Sequence, residues 1–212
     1  MKYRHILFDI DGTLIDTEQM LITVFSEVLQ RRYGHCLTTD AFRSTFGIPC
    51  DVALRLMGLE PNQEVLDDIQ RGIRTSVRLA RVFPEVEPLL KALHDCRITL
   101  GLVTSKNREE FKSSFVPFGL AHYFSMAVCS DDTPRGKPYP DPILHYLSAQ
   151  GADPGETVYI GDTLYDYQCA KQAGVDFILA AWSGIPLQEK PDAPAAQSTR
   201  QLKEILMGSS RM

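Results

Sequence analysis

Five short apolar runs, rich in β-branched residues, recur along the chain at residues 5–8, 98–103, 126–128, 158–160 and 177–181, and most give way to polar or acidic residues. Continuous apolar runs of this length read as strands buried on both faces, which is the signature of a parallel sheet. Between them, residues 86–96, 108–116, 142–150 and 164–173 carry helical patterns bounded by Gly, Pro or Asp. Strand and helix in alternation predict an α/β fold, a doubly wound parallel sheet with helices on both faces.

One interval breaks the alternation. From residue 17 to residue 82 there is no convincing strand, only amphipathic segments at residues 20–32, 39–46, 51–57 and 63–81. The reading is an all-helical insert after the first strand. Removing it from the 212 residues leaves roughly 150, about the usual size of one α/β domain. The division expected is therefore a core of residues 1–16 and 83–212 and a helical cap of residues 17–82. The segment after Trp182 is rich in Pro, Ala and Gln and ends in a short helix over residues 199–206.

Charge and composition narrow the partner. Lys and Arg total 22 against 27 Asp and Glu, a net charge of −5, which disfavours a broad surface for a nucleic-acid backbone. Cys36, Cys50, Cys96, Cys129 and Cys169 are odd in number and never form a CxxC pair, so neither a disulfide framework nor a zinc site is indicated. The cytoplasm is the simplest compartment for such a chain. No apolar run is long enough for a membrane span. The expected partner is small, with no nucleic acid and no membrane; nothing in the sequence fixes an oligomeric state.

The first strand runs directly into Asp9, Ile10, Asp11, Gly12 and Thr13, and ligands of open parallel sheets bind at the carboxyl ends of strands. The second ends in Thr104, Ser105, Lys106 and Asn107, either an anion-binding helix start or a simple helix cap. Lys137 stands among Gly136, Pro138 and Pro140, either aimed at a charge by a stiff backbone or solvated in a loop. The fourth delivers Asp162 and Asp166, whose spacing of four suits one helix face, or else Asp162 is a helix cap. Gathered on one rim, Asp9, Asp11, Asp162 and Asp166 would repel one another without a cation, and oxygen-only ligands favour Mg²⁺. Thr104 and Lys137 offer what an anion such as phosphate needs. A metal beside a phosphate cradle points to phosphoryl transfer.

The motifs FDIDGTLIDTE, VTSKN, RGKPYPDP and YIGDTLYD, in that order, resemble the haloacid dehalogenase superfamily, in its phosphatase branch with a helical cap. Phe46, Gly47, Ile48 and Pro49 resemble the loop that faces the active site in phosphoglycolate phosphatase-like members. The chain departs from the family pattern at Glu85, where many relatives carry Gly, and at Tyr167-Gln168-Cys169.

The resemblance implies that Asp9 is the nucleophile, forming an aspartyl phosphate, and Asp11 the general acid and base. Gly12, Thr104, Ser105 and Lys137 would hold the phosphate. Mg²⁺ would take the side chains of Asp9 and Asp162, the backbone carbonyl of Asp11, and Asp166 directly or at one remove. An acid at position 11 separates phosphatases and mutases from dehalogenase-like members. In the cap, Phe46, Gly47, Ile48 and Arg43 are the substrate candidates, Arg43 being one of six arginines between residues 43 and 81 able to meet an anionic group. The function expected is a Mg²⁺-dependent phosphatase acting on a small phosphorylated metabolite, phosphoglycolate foremost, with a sugar phosphomutase or a pyrophosphatase as alternatives. A phospho-signalling receiver would place its acceptor Asp on a later strand and carry no cap.

Overall fold

The computed structural model of the chain describes residues 2–185, 187 and 189–208. In chain order the elements are β1 (His5–Phe8), β2 (Ile15–Asp16), α1 (Glu18–Tyr33), α2 (Thr39–Arg43), α3 (Cys50–Leu56), α4 (Gln63–Ser76), β3 (Arg81–Val82), α5 (Val86–Asp95), β4 (Thr99–Val103) and α6 (Arg108–Ser114). There follow β5 (Met126–Val128), α7 (Asp141–Gln150), β6 (Thr157–Gly161), α8 (Leu164–Ala173), β7 (Asp176–Ala180), β8 (Ala195–Ala196) and α9 (Thr199–Met207). Six strands form one parallel sheet in the order β5-β4-β1-β6-β7-β8.

β1 lies at the centre, with Ile6, Leu7 and Phe8 buried. It pairs with β4 on one side and β6 on the other. The chain builds outward from β1 to β4 and β5 and then crosses back to β6, so the connections diverge at this strand, where a parallel sheet opens a crevice. The carboxyl ends of β1, β4 and β6 carry Asp9, Thr104 and Asp162, so the register alone gathers three of the expected groups.

The interval expected to be wholly helical contains a strand. The helix read over residues 63–81 ends at Ser76, a short 3-10 turn covers Val77–Leu79, and Arg81–Val82 then pairs antiparallel with Ile15–Asp16. Two-residue strands carry too few positions for any period to show, and the pairing supplies backbone partners that a continued helix would forgo. The four helices α1 to α4 all lie between these paired strands. β8 was likewise missed, hidden in a Pro- and Ala-rich stretch; it pairs with β7.

Within the insert, α1 buries Val24, Phe25, Val28 and Leu29, and α4 buries Val65, Ile69 and Ile73, each at helical spacing. Asp68 is also buried there; its carboxylate accepts from Arg31 at 2.9 Å and Arg32 at 2.7 Å. A buried carboxylate without partners would be costly, so this knot ties α4 to α1.

Candidate active site

Three carboxylates from two strand ends meet. Oxygens of Asp9, Asp162 and Asp166 lie within 4.8 Å of one another, and all three residues are buried. Asp9 follows β1 and Asp162 follows β6. Asp166 sits in the first turn of α8, where it closes a capping box: Thr163 Oγ1 accepts from the Asp166 N–H, and Asp166 Oδ2 accepts from the Thr163 N–H at 3.0 Å. Thr163, and not Asp162, is therefore the helix cap. Asp162 precedes the helix, so the two acids converge through the turn between β6 and α8 and not through one helix face. Thr13 Oγ1 donates to Asp162 Oδ1 at 3.2 Å.

Gly12 makes room for this arrangement. Its φ is +78°, a conformation glycine takes freely, and a Cβ there would fall 2.0 Å from Asp162 Oδ2. Its N–H donates to the Ile15 carbonyl at 2.8 Å. That amide is thus already engaged, and Gly12 shapes the cradle chiefly by its missing side chain.

Lys137 is the counter-charge and is not a solvated loop residue. Its ammonium donates to Asp9 Oδ1 at 2.9 Å and to Asp166 Oδ1 at 2.6 Å, and lies 3.4 Å from the Tyr159 hydroxyl. Burial pulls its pKa down, but Asp166 and Asp9 more than offset this and hold it well above the ordinary lysine value. One ammonium does not balance three acids: burial raises the Asp9 carboxyl to about 7 and pushes Asp162 well above the ordinary carboxylate range. Such a cluster suits a divalent cation, and the donors are all carboxylate oxygens, the set that Mg²⁺ prefers.

Asp11 points elsewhere. Its Oδ2 is 2.9 Å from Lys106 Nζ, and its carboxylate stands outside the three-acid cluster. Thr104 is buried, with Oγ1 accepting from the Lys106 N–H at 3.2 Å. It is not the helix cap: Asn107 caps α6, in a box with Glu110.

The insert reaches into the site through its own loop. Ser105 Oγ donates to the Gly47 carbonyl at 3.0 Å, and a Cβ on Gly47, whose φ is +82°, would meet Thr163 Cγ2 at 2.5 Å. Phe46 is buried, edge-on to Phe42, which is edge-on to Phe25. These rings, with Leu21, Ile48, Pro49 and Ile73, wall a chamber of about 80 Å³ whose polar side is Asp11, Lys106, Ser105 and Glu110. Arg43 is not in it. Its Nε donates to Glu18 at 2.6 Å, and it borders a groove of about 510 Å³ on the Asp162 side of the loop. Arg55, Arg71 and Arg74 pair with Asp51, Asp68 and Glu109.

Two residues given no role from the sequence are central here. Lys106 was visible only as part of a polar cluster. Tyr159 was indistinguishable from the apolar residues of β6, yet its hydroxyl lies 2.9 Å from the Val103 carbonyl and 2.8 Å from Asp166 Oδ1.

Residues 6–180 match the family model described as haloacid dehalogenase-like hydrolase. A Caldanaerobacter subterraneus protein provisionally described as the pyrophosphatase PpaX is 32% identical, over 98% of this chain and 96% of its own. The pyrophosphatase PpaX of Bacillus pumilus is 31% identical, over 84% of this chain and 83% of its own. Among solved structures, a Lactobacillus plantarum protein provisionally described as a phosphoglycolate phosphatase superposes with a TM-score of 0.89 at 28% identity. That match covers 97% of this chain and 100% of the other.

Proposed function

The chain belongs to the haloacid dehalogenase-like hydrolase family, and from that premise we propose that it is a Mg²⁺-dependent phosphatase of small phosphorylated metabolites, working through an aspartyl phosphate on Asp9. The observation that carries this reading is the buried meeting of Asp9, Asp162, Asp166 and Lys137 beside an Asp11 that faces a separate small chamber.

Asp9 attacks phosphorus, and the bond from phosphorus to the leaving oxygen breaks as the acyl phosphate forms. Asp11, on the chamber side, gives a proton to that oxygen. In the second half-reaction Asp11 takes a proton from water as the water oxygen attacks phosphorus, and inorganic phosphate leaves with Asp9 restored. Lys137, the Thr104 hydroxyl and the Ser105 N–H, which has no acceptor among the described residues, meet the charge on the transferring oxygens. Asp9, Asp162, the Asp11 carbonyl and Asp166 would hold Mg²⁺, which adds positive charge where the phosphoryl group is negative. The 17–82 insert closes over the site through Gly47 and Ser105 and excludes water.

A chamber of about 80 Å³ beside Asp11 admits a compact leaving group such as glycolate or phosphate. Phosphoglycolate leads; pyrophosphate is the second reading, supported by relatives named as pyrophosphatases. The test is phosphate release from a panel of phosphoglycolate, pyrophosphate, sugar phosphates and nucleoside monophosphates, with and without Mg²⁺. Mg²⁺-dependent release from the compact substrates is expected. No release from any of them would overturn the reading.

A further inference from the structure

The ion pair between Lys106 and Asp11 faces the chamber with its charges only half matched. Lys106 Nζ lies 2.9 Å from Asp11 Oδ2, and the two side chains are 8% and 16% exposed. An ammonium has three donors, and among the described residues Asp11 is its one ion-pair partner. On the other side, Asp11 Oδ1 is buried with no hydrogen-bond partner among the described residues. Leu21, Phe25, Phe42, Phe46 and Ile73 also line the chamber, with Cys50 and with Thr45, whose hydroxyl already donates to the Phe42 carbonyl at 2.9 Å. Glu110 also lines the chamber, but its Oε2 accepts from the Asn107 N–H at 2.9 Å. Lys106 is the one cation lining the chamber among the described residues.

We propose that Lys106 is the specificity-determining residue of this site, selecting substrates that carry a negative charge on the leaving side of the scissile bond. This rests on the phosphatase reading above. A leaving group bearing a carboxylate or a second phosphate meets the donors of the Lys106 ammonium that Asp11 leaves unused. A neutral leaving group does not. Lys106 and Asp11 are largely shielded from solvent, where charge pairing is stronger than in water, so the preference appears in kcat/KM as discrimination between substrates of nearly equal size. The Lys106 backbone is fixed for this, its N–H on Thr104 Oγ1 and its carbonyl accepting from the Ser130 N–H at 2.9 Å.

The experiment compares phosphoglycolate with 2-hydroxyethyl phosphate, an analogue of similar size that lacks the carboxylate, in the full chain with Mg²⁺ and in its Lys106→Gln variant. The unmodified chain is expected to favour phosphoglycolate by about 100-fold in kcat/KM, and Lys106→Gln to reduce that ratio by about tenfold or more. A ratio near one in the unmodified chain overturns the proposal, whether or not the variant folds. So does a Lys106→Gln variant that slows both substrates equally, which is the mark of a merely structural lysine. Should bulkier neutral monoesters be hydrolysed in preference to both, the specificity proposal falls while the phosphatase reading stands. If no phosphate ester or anhydride is hydrolysed at all, both fall.

Discussion

The ammonium of Lys137 stands 2.9 Å from the carboxylate of Asp9, and the two side chains are 2% and 3% exposed. A buried pair of this kind contributes little net stability when compared with apolar residues, but removing one partner strands the other. Among the described residues Lys137 is the only basic side chain bonded to any of the three clustered acids, reaching Asp9 and Asp166 but not Asp162, so the burial of those two carboxylates depends on this one cation.

Lys137→Met in metal-free protein at about pH 8 is expected to lose about 3–5 kcal/mol of stability, because Asp9 and Asp166 keep their burial and lose their cation. Urea unfolding measures it. A loss below about 1 kcal/mol would show that the acids relax without the lysine.

Asp9→Asn is expected to fold as the unmodified chain does and to reduce Mg²⁺-dependent phosphate release by at least about 10³-fold, since an amide does not form the acyl phosphate. Circular dichroism and a phosphate assay read the two parts. Near-normal turnover in a folded variant would falsify the covalent mechanism.

Metal response should depend on pH in a defined direction. Burial places the Asp9 carboxyl at about 7 in the folded chain and Asp162 well above its ordinary range, whereas in the unfolded chain both return to about 4. A carboxyl raised in the folded state stabilises when protonated, and that contribution is lost as pH rises from about 4 through about 7. A cation bound to the same oxygens competes with those protons. Saturating Mg²⁺ should therefore raise the melting temperature more at about pH 8 than at about pH 5.5. Equal shifts at the two pH values would place the metal away from these acids.

Glu85 occupies a left-handed conformation, φ 62° and ψ 7°, just before α5. A side chain there costs about 1–2 kcal/mol, partly offset by the greater freedom that glycine brings to the unfolded chain, about 0.4–1 kcal/mol. Glu85→Gly is expected to raise stability by roughly 0.5–1 kcal/mol by that difference, with kcat/KM unchanged. A thermal or urea melt checks it, and destabilisation would mean that the Glu85 side chain makes a contribution beyond its backbone.

Local pattern carried the core of this molecule a long way. β1, β4, β6 and β7 are apolar runs because a strand buried on both faces has no polar side; β5, at the sheet edge and only partly buried, is a short apolar run as well, and all five were legible for that pattern. Asp9, Asp162, Asp166, Thr104 and Lys137 were legible because parallel strands deliver their ends to one rim. The strands β2, β3 and β8 were not legible. At two residues each they owe their existence to a partner remote in sequence, and no period reports that.

What the sequence determined by itself was therefore the five main strands of the sheet, the helices of the insert and the acids, hydroxyl and lysine that the fold gathers at one rim. Tertiary structure alone decided which charges meet which. It turned Asp11 to Lys106 and away from the three-acid cluster, gave Arg43 to Glu18, and brought the Tyr159 hydroxyl to Asp166. The physical reason is one of range. Hydrophobic periodicity is written by neighbours along one element, whereas the partner of a buried charge is chosen by burial and by whichever opposite charge the closed fold brings within about 3 Å.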